Sequence, residues 1–456
     1  MLSKQFKKEL LKTPRGTRDL LESDLVIFDE IKKRAEELAR YYGYHKIQTP
    51  AFEHADLFLA ALGDTTDMVE KQMYTFRSRG GDHLVLRPEK TVPTMRAYFE
   101  HGMQSEPQPV MVYSVGSCFR HESPQKGRFR EFTQFDLDIL GEDLAVADAT
   151  TIRMFNLIFK EIKIDATLEL NTIGDKECRP IYRKELVAYY RKHFNQLCKD
   201  CKRRYKENPL RLLDCKEPTC AELKQKAPQM IEYLCDECKK HFKSVLEFMD
   251  TLEISYRLNP YLVRGLDYYS RTVFEFIVTI PPENEKEPAR RLEVGGGGRY
   301  DYLGDVLGGR HVPAVGGAFG VDRVAEVLRQ SADLEEYKGQ PPRVFLIQLG
   351  DAAKKKSLYL MEEFRKAKIP LSQSLSKDSI RGQLRIASKV GADFSLIIGQ
   401  KEAMDGTVII RDMDSGMQES LPFAKVIERL HSKLKSVPFS KRMPKAEFSE
   451  EDLNQL

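Results

Sequence analysis

Between Val112 and Leu140 two runs alternate their side chains with a period of two, and a strongly basic loop joins them. That period is the period of β-strands, so this part of the chain must lie in a sheet with two unlike faces. In "VYSVGSCFR" one face carries Val112, Ser114, Gly116, Cys118 and Arg120, three of them small, with Arg120 at the end of the row. In "FTQFDLDIL" one face carries Phe132, Gln134, Asp136 and Asp138, while Phe135, Leu137 and Ile139 line the other. An amide and two carboxylates on one face are costly in a core unless each finds a partner. They suit the floor of a ligand site; a half-exposed sheet with its polar face in water is the plain alternative. The joining loop supplies Lys126, Arg128 and Arg130 around Gly127. Guanidinium forks match phosphate oxygens, so the loop suits a polyphosphate, with Phe132 as a stacking surface for a base. A solvated turn is the other reading.

Two further polar clusters follow. "YLVRGLDYYSRTVFEF" sets Arg264, Asp267, Tyr268 and Tyr269 before a strong strand, and "EVGGGGRYDYLGDVLGGRHVPAVGGAFGVDRV" carries four consecutive glycines. Consecutive glycines allow close approach of the backbone to a neighbour, or a strained turn. Neither GxGxxG nor GxxxxGK[ST] is present, so neither a dinucleotide-binding fingerprint nor a P-loop is indicated. No Ser-His-Asp, Cys-His or H-E-x-x-H arrangement is evident. "GGAFGVDR" reads as a glycine-lined strand entering a helix whose first turn contains Arg323.

The rest of the chain sorts around these clusters. Residues 25–43 have helical apolar spacing ending at Gly43, "MYTFRSRGGDHLVLRPE" reads as a hairpin, and "TVPTMRAYFEHG" as a helix. No apolar run is long enough to cross a membrane. The basic start, "MLSKQFKKELLK", lacks a secretory hydrophobic region and reads as a surface extension, a short organellar signal being the alternative. The net charge of +4 is unevenly spread: between Lys176 and Leu246 there are 18 basic against 10 acidic residues. A basic module on a mildly acidic body suits a polyanion-binding appendage, or a well-solvated helical surface. Of the eight cysteines, Cys198 and Cys201, Cys215 and Cys220, and Cys235 and Cys238 form spaced pairs in that module. Their number points to a reduced, intracellular chain. The pairs fit no single finger pattern, so structural zinc and metal-free thiols both stay open. Beyond "RQSADLEEYKGQPP", which has linker composition, strands "RVFLIQL", "FSLIIG" and "GTVIIRD" alternate with helical segments, indicating a small α/β domain with a largely parallel sheet.

Taken in order, these segments resemble the class II aminoacyl-tRNA synthetases, and within them the histidyl-tRNA synthetase family. "TPRGTRDLL" is similar to that family's N-terminal signature, "IQTPAFEHADLF" to class II motif 1, "FRHE…GRFREF" to motif 2 and "GGAFGVDR" to motif 3. "LVRGLDYYSRTVFE" and "GGGGRYD" resemble its two histidine-specific signatures. The resemblance implies an α+β fold: an antiparallel sheet with flanking helices over residues 1–330, a helical Cys-rich insert at about 176–256, a linker at 331–342, a C-terminal α/β anticodon-binding domain at 343–435 and a polar tail at 436–456. It implies an ATP- and Mg²⁺-dependent enzyme that activates L-histidine and transfers it to tRNA(His), acting as a cytoplasmic homodimer without a membrane segment. Arg120 and Arg264 would flank the α-phosphate and act in catalysis. Arg128 and Arg323 would bind the outer phosphates and Phe132 would stack on adenine, so that ATP meets Arg120, Arg128, Phe132, Arg264 and Arg323. Glu89, Thr91 and Gln134 would hold the histidine α-amino group, with Lys90 beside them, and Arg120 and Arg264 would also meet histidine. Asp138, Tyr268, Tyr269 and Tyr300 would surround the imidazole. No metal is assigned to the site residues themselves. The insert would contact the tRNA acceptor arm. The rivals are a non-catalytic paralogue serving as regulatory subunit and an RNA-binding sensor; retention of Arg120, Arg264 and Arg323 argues against both.

Overall fold

A computed structural model describes residues 11–63, 66, 68–123, 127–281, 289–330, 343–375 and 378–436. Lys126, the linker at 331–342 and the tail beyond residue 436 lie outside these. The chain divides into two compact units, Met1–Lys338 and Gly339–Leu456.

The first unit is organised by an eight-stranded sheet in the order His45–Lys46, Val110–Phe119, Glu131–Leu140, Ala314–Gly320, Arg290–Arg299, Ser270–Ile280, Thr167–Thr172, Tyr256–Leu258. The edge pairings are parallel and all the inner ones antiparallel. The period-two pattern sets which side chains share a face. Gly116 stands opposite Gln134, Ser114 opposite Asp136 and Val112 opposite Asp138. On the next strand Gly316 pairs with Asp138 and Ala318 with Asp136. Small residues thus flank the polar row on both sides.

The opposite face carries the main core. Phe135, Leu137 and Ile139 pack there with Phe155, Phe159, Phe274, Phe276 and Phe319. Helices Glu22–Tyr41, Ala145–Glu161 and Val321–Gln330 supply apolar stripes from above. The Glu22–Tyr41 helix turns aside at Gly43, whose φ of +84° few other residues adopt. The glycine run is a strand interior, not a turn, and its members alternate between the faces. A methyl group at Gly317 would stand 2.7 Å from the Phe155 ring, so glycine there lets the aromatic core close onto the sheet.

A second apolar cluster lies on the polar-row side, where helices Ala55–Leu62 and Thr91–Glu100 pack with Tyr268, Tyr269 and Tyr300. A three-stranded sheet of Phe52–His54, His83–Leu86 and Tyr74–Arg77 adjoins it, the last two forming the expected hairpin around Gly80 and Gly81. The Cys-rich insert is helical, with Arg179–Lys192, Lys199–Glu207, Pro218–Gln225 and Asp236–Thr251 around a core of its own.

In the second unit the strand order is Leu371–Gln373, Val344–Gln348, Phe394–Ile398, Thr407–Asp412, Gln418–Pro422. The first three are parallel, but Thr407–Asp412 and Gln418–Pro422 run antiparallel, so the sheet is mixed and not largely parallel. The connection explains this. Only Gly399, the short helix Gln400–Asp405 and Gly406 separate the strands, and a parallel return needs about a dozen residues or more.

Candidate active site

A cavity opens over the polar row of the large sheet. One end is walled by Glu89, Thr91, Gln134, Tyr268 and Tyr269, the other by Arg120, Arg128, Phe132 and Arg323, and Arg264 also borders it. The sequence-derived residues therefore converge from five separate segments. Three stand behind the wall instead: Lys90, Asp138 and Tyr300 are buried and do not border the cavity.

Glu89 sits just before helix Thr91–Glu100, and its carboxylate accepts the Thr91 N–H at 2.7 Å and the Val92 N–H at 2.9 Å. Orphan donors of a first helical turn hold it in place. The Tyr268 hydroxyl donates to the same carboxylate at 3.4 Å. Burial pushes Glu89 up to about 7, outweighing those two N–H donors. Asp138 is raised to about 8, again chiefly by burial, although the Tyr300 hydroxyl donates to its Oδ1 at 2.5 Å. Tyr268 packs against both Tyr269 and Tyr300, with ring centroids 4.7 and 5.8 Å apart. This end therefore presents the Glu89 carboxyl beside an aromatic wall, with the Asp138 carboxyl buried behind it, and suits a ligand that brings cationic or N–H donor groups.

The other end is arginine-rich. Arg120 donates from Nε to the Pro88 carbonyl at 2.8 Å, and its guanidinium lies 5.1 Å from the Phe132 ring centre. Arg128 approaches Glu122 at 3.7 Å. Arg323 donates to the Glu293 carbonyl at 2.9 Å, and its carboxylate lies 3.6 Å away. Arg264 is held between Glu275 at 2.9 Å and Glu293 at 3.2 Å. These two acids sit differently. Burial and the neighbouring Glu293 raise Glu275 to about 8, whereas for Glu293 burial is outweighed by Arg264 and Arg323, which hold it below the usual range. Arg264 in turn sits directly over glycine, since a methyl group at Gly296 would stand 2.8 Å from its Nη1.

Lys90 has a different position from the one the sequence suggested. Its ammonium donates to Ser114 Oγ at 3.0 Å and to the Gln134 carbonyl at 3.1 Å, and pairs with Asp136 at 3.1 Å, with both side chains almost wholly buried. It braces the polar row from the same face of the sheet and does not border the cavity. Removing one member of a buried pair strands the other charge. Lys90→Met is accordingly expected to cost about 3 kcal/mol in denaturant unfolding. A loss below about 1 kcal/mol, the scale of an exposed pair, would contradict this bracing role.

Comparison with known proteins gives the family. Residues 16–324 match the family model described as histidyl-tRNA synthetase, and residues 343–433 match an anticodon binding domain. The chain belongs to the histidyl-tRNA synthetase family. It is 42% identical to the histidine–tRNA ligase of Dehalococcoides mccartyi over 92% of this chain and 98% of that protein, and 42% identical to that of Desulforudis audaxviator over the same shares. Among solved structures, apo S. aureus histidyl-tRNA synthetase superposes with a TM-score of 0.74 at 30% identity, covering 92% of this chain and 99% of that one.

Within this histidyl-tRNA synthetase site several residues were not singled out from sequence. Glu275 and Glu293 hold Arg264, and Arg18 donates from Nη2 at 2.8 Å to Asp322, the motif 3 acid, which also accepts the Thr133 N–H at 2.7 Å and so ties the N-terminal segment to motifs 2 and 3. Arg299 is fully buried, donating to Asp148 at 2.8 Å and Asp301 at 3.0 Å. A lone acid in an apolar strand, as in "TVFEFIV", was the available signal for Glu275. Nothing local marks Asp148 as the partner of a residue 151 positions away.

Proposed function

We propose that the chain is a histidine–tRNA ligase, activating L-histidine with ATP to histidyl-adenylate and then passing the histidyl group to the 3′ end of tRNA(His). The observation that carries this reading is the single cavity with a buried carboxyl and aromatic end facing an arginine end. Histidine fits the first: its ammonium meets Glu89, Thr91 and Gln134, its ring lies against Tyr268 and Tyr269, and Asp138 with Tyr300, which stand behind that wall before substrate enters, come within reach of the ring nitrogens as histidine seats. ATP fits the second: adenine stacks on Phe132, Arg128 and Arg323 hold the outer phosphates, and Arg120 and Arg264 flank the α-phosphate. The histidine carboxylate attacks the α-phosphorus, the bond to the bridging oxygen breaks, and pyrophosphate leaves. No protein nucleophile is needed; positioning and fixed positive charge do the work. Glu122 and Glu293 border the cavity beside the outer-phosphate arginines. Carboxylate oxygens of this kind, joined by phosphate oxygens, would hold Mg²⁺, which when bound withdraws charge from the leaving pyrophosphate. The C-terminal unit reads the anticodon, the insert meets the acceptor arm, and the working form is a cytoplasmic homodimer.

The test is histidine-dependent ATP–pyrophosphate exchange, screened against the other amino acids. Exchange with histidine alone is expected. No exchange from folded protein would favour the regulatory paralogue.

The raised acids give a further expectation. In the empty pocket burial keeps Glu89 and Asp138 partly protonated near neutrality. A bound ammonium and ring N–H favour their anions, so histidine binding should release protons near pH 7 and tighten as pH rises from about 6 to about 8. Calorimetry in two buffers of different ionisation enthalpy measures this. Proton uptake at pH 7 would contradict it.

A further inference from the structure

We propose that the insert is built around two structural zinc ions, one held by Cys198, Cys201, Cys215 and Cys220, the other by Asp175, Cys178, Cys235 and Cys238. Within each group the donor atoms all lie within 4.8 Å of one another. The sulfurs of Cys198 and Cys215 are 3.9 Å apart, and those of Cys178 and Cys238 are 3.8 Å apart. A disulfide would hold them at about 2.05 Å. Tetrahedral zinc with bonds of about 2.3 Å sets ligand sulfurs about 3.8 Å apart. In the second group Asp175 Oδ1 is 3.4 Å from Cys178 Sγ and 4.0 Å from Cys235 Sγ, near the spacing of mixed oxygen and sulfur ligands.

The surroundings suit thiolates. The Cys198 N–H points at Cys220 Sγ at 3.3 Å, the Cys201 N–H at Cys198 Sγ at 3.4 Å, and the Asp175 N–H at Cys178 Sγ at 3.3 Å. Donors outside the ligand set orient and stabilise charged sulfur. Asp175 is buried among three thiols, an expensive place for a carboxylate unless a cation is shared. Its nearest basic group, Arg271, is 3.8 Å away. Four thiolates in one group, and three with a carboxylate in the other, select zinc over magnesium or calcium.

The nesting explains why the spacing matched no finger. Two ligands of the outer site precede the inner site in the chain and two follow it, so Cys235 and Cys238 are completed by Asp175 and Cys178, not by another paired cysteine. The outer site ties residues 175–178 to residues 235–238, and the inner one lies between them in the chain. Both abut the segment that carries Arg264. Arg179, one residue past Cys178, donates to the Tyr269 carbonyl at 2.6 Å. Between the inner pairs, Asn208 donates to Asp267 at 2.7 Å and Arg211 to the Gly265 carbonyl at 3.1 Å. The two ions therefore brace the Arg264–Tyr269 segment from behind. This bracing effect rests on the function proposed above; metal binding itself does not.

The experiment is elemental analysis of full-length protein purified without chelator, with release of zinc by a thiol-directed mercurial followed by a chromogenic chelator. About two zinc ions per chain are expected. Absence of bound zinc, with the cysteines reacting freely with a thiol reagent, overturns the proposal whatever the activity. Cys198→Ser with Cys201→Ser, and separately Cys235→Ser, should each lower the content to about one per chain. If these variants do not fold, the unmodified protein still decides the matter through its metal content and the tetrahedral visible spectrum expected after cobalt(II) exchange. Normal exchange activity after complete zinc removal would overturn the bracing role, and inactive but zinc-loaded protein would count against the catalytic reading alone.

Discussion

Arg264→Ala should lower histidine-dependent ATP–pyrophosphate exchange by about a thousandfold, the scale set by losing one preorganised contact to transition-state charge. Histidine binding should remain measurable, because Glu89 is held by the Thr91 and Val92 N–H groups and Gln134 by its own strand, both apart from the Arg264 segment. The expectation follows from how the arginine is mounted. Its Nη1 is fixed between Glu275 and Glu293, and its side chain is largely buried. A group fixed before substrate arrives needs no reorganisation as negative charge builds on the α-phosphorus. Arg264→Lys should recover little, since a point ammonium cannot span both acids and a phosphate oxygen. Single-turnover measurement of adenylate, set beside histidine binding by calorimetry, separates the two effects. Near-normal adenylate formation by Arg264→Ala would remove the residue from the catalytic role.

Asp138→Asn should reduce kcat/KM for histidine by roughly a hundredfold while leaving the KM for ATP nearly unchanged, the cost of stranding a buried ring N–H or replacing a charged acceptor. The substitution is nearly isosteric and its amide oxygen can still accept from Tyr300, so the fold around Gly316 is preserved. Only the charge and one acceptor change. Steady-state kinetics with each substrate varied in turn measures the split. Equal losses for both substrates would indicate a general disturbance of the sheet and not a lost contact to the imidazole. The same variant should also release fewer protons on binding histidine near pH 7.

Much of this was legible in the chain because strand periodicity is a local property. The alternation from Val112 to Leu140 placed Gln134, Asp136 and Asp138 on one face, and the structure keeps them there with Ser114 and Gly116 opposite. Lys90 was misplaced for the complementary reason. Its neighbours Glu89 and Thr91 border the cavity, but a helix begins at Thr91, and the turn of the backbone sends the intervening side chain away from the cavity onto Ser114 and Asp136 of the polar row. Sequence adjacency could not reveal that. The mixed C-terminal sheet was hidden in a connection length, and the nested cysteine groups in contacts between residues 60 positions apart. The Arg299 cluster joins the Arg299–Asp301 stretch to Asp148, 151 positions from Arg299, which no single-sequence pattern encodes.

The glycine-lined strands limit how such a pocket can be altered in the laboratory or by descent. At Gly316 any added side chain would run into Asp138 and stand 2.7 Å from the Leu137 carbonyl oxygen, and at Gly296 it would stand 2.7 Å from the Phe274 carbonyl oxygen. Neither backbone atom can swing aside as a flexible side chain would. Two of the strands nearest the reacting atoms are thus closed to gradual exploration, and a chain seeking a new amino acid would have to vary the Tyr268–Tyr269 wall or the row ending at Asp138. Random mutagenesis should find its surviving, selectivity-changing substitutions in those places, with the glycines returning almost only as losses.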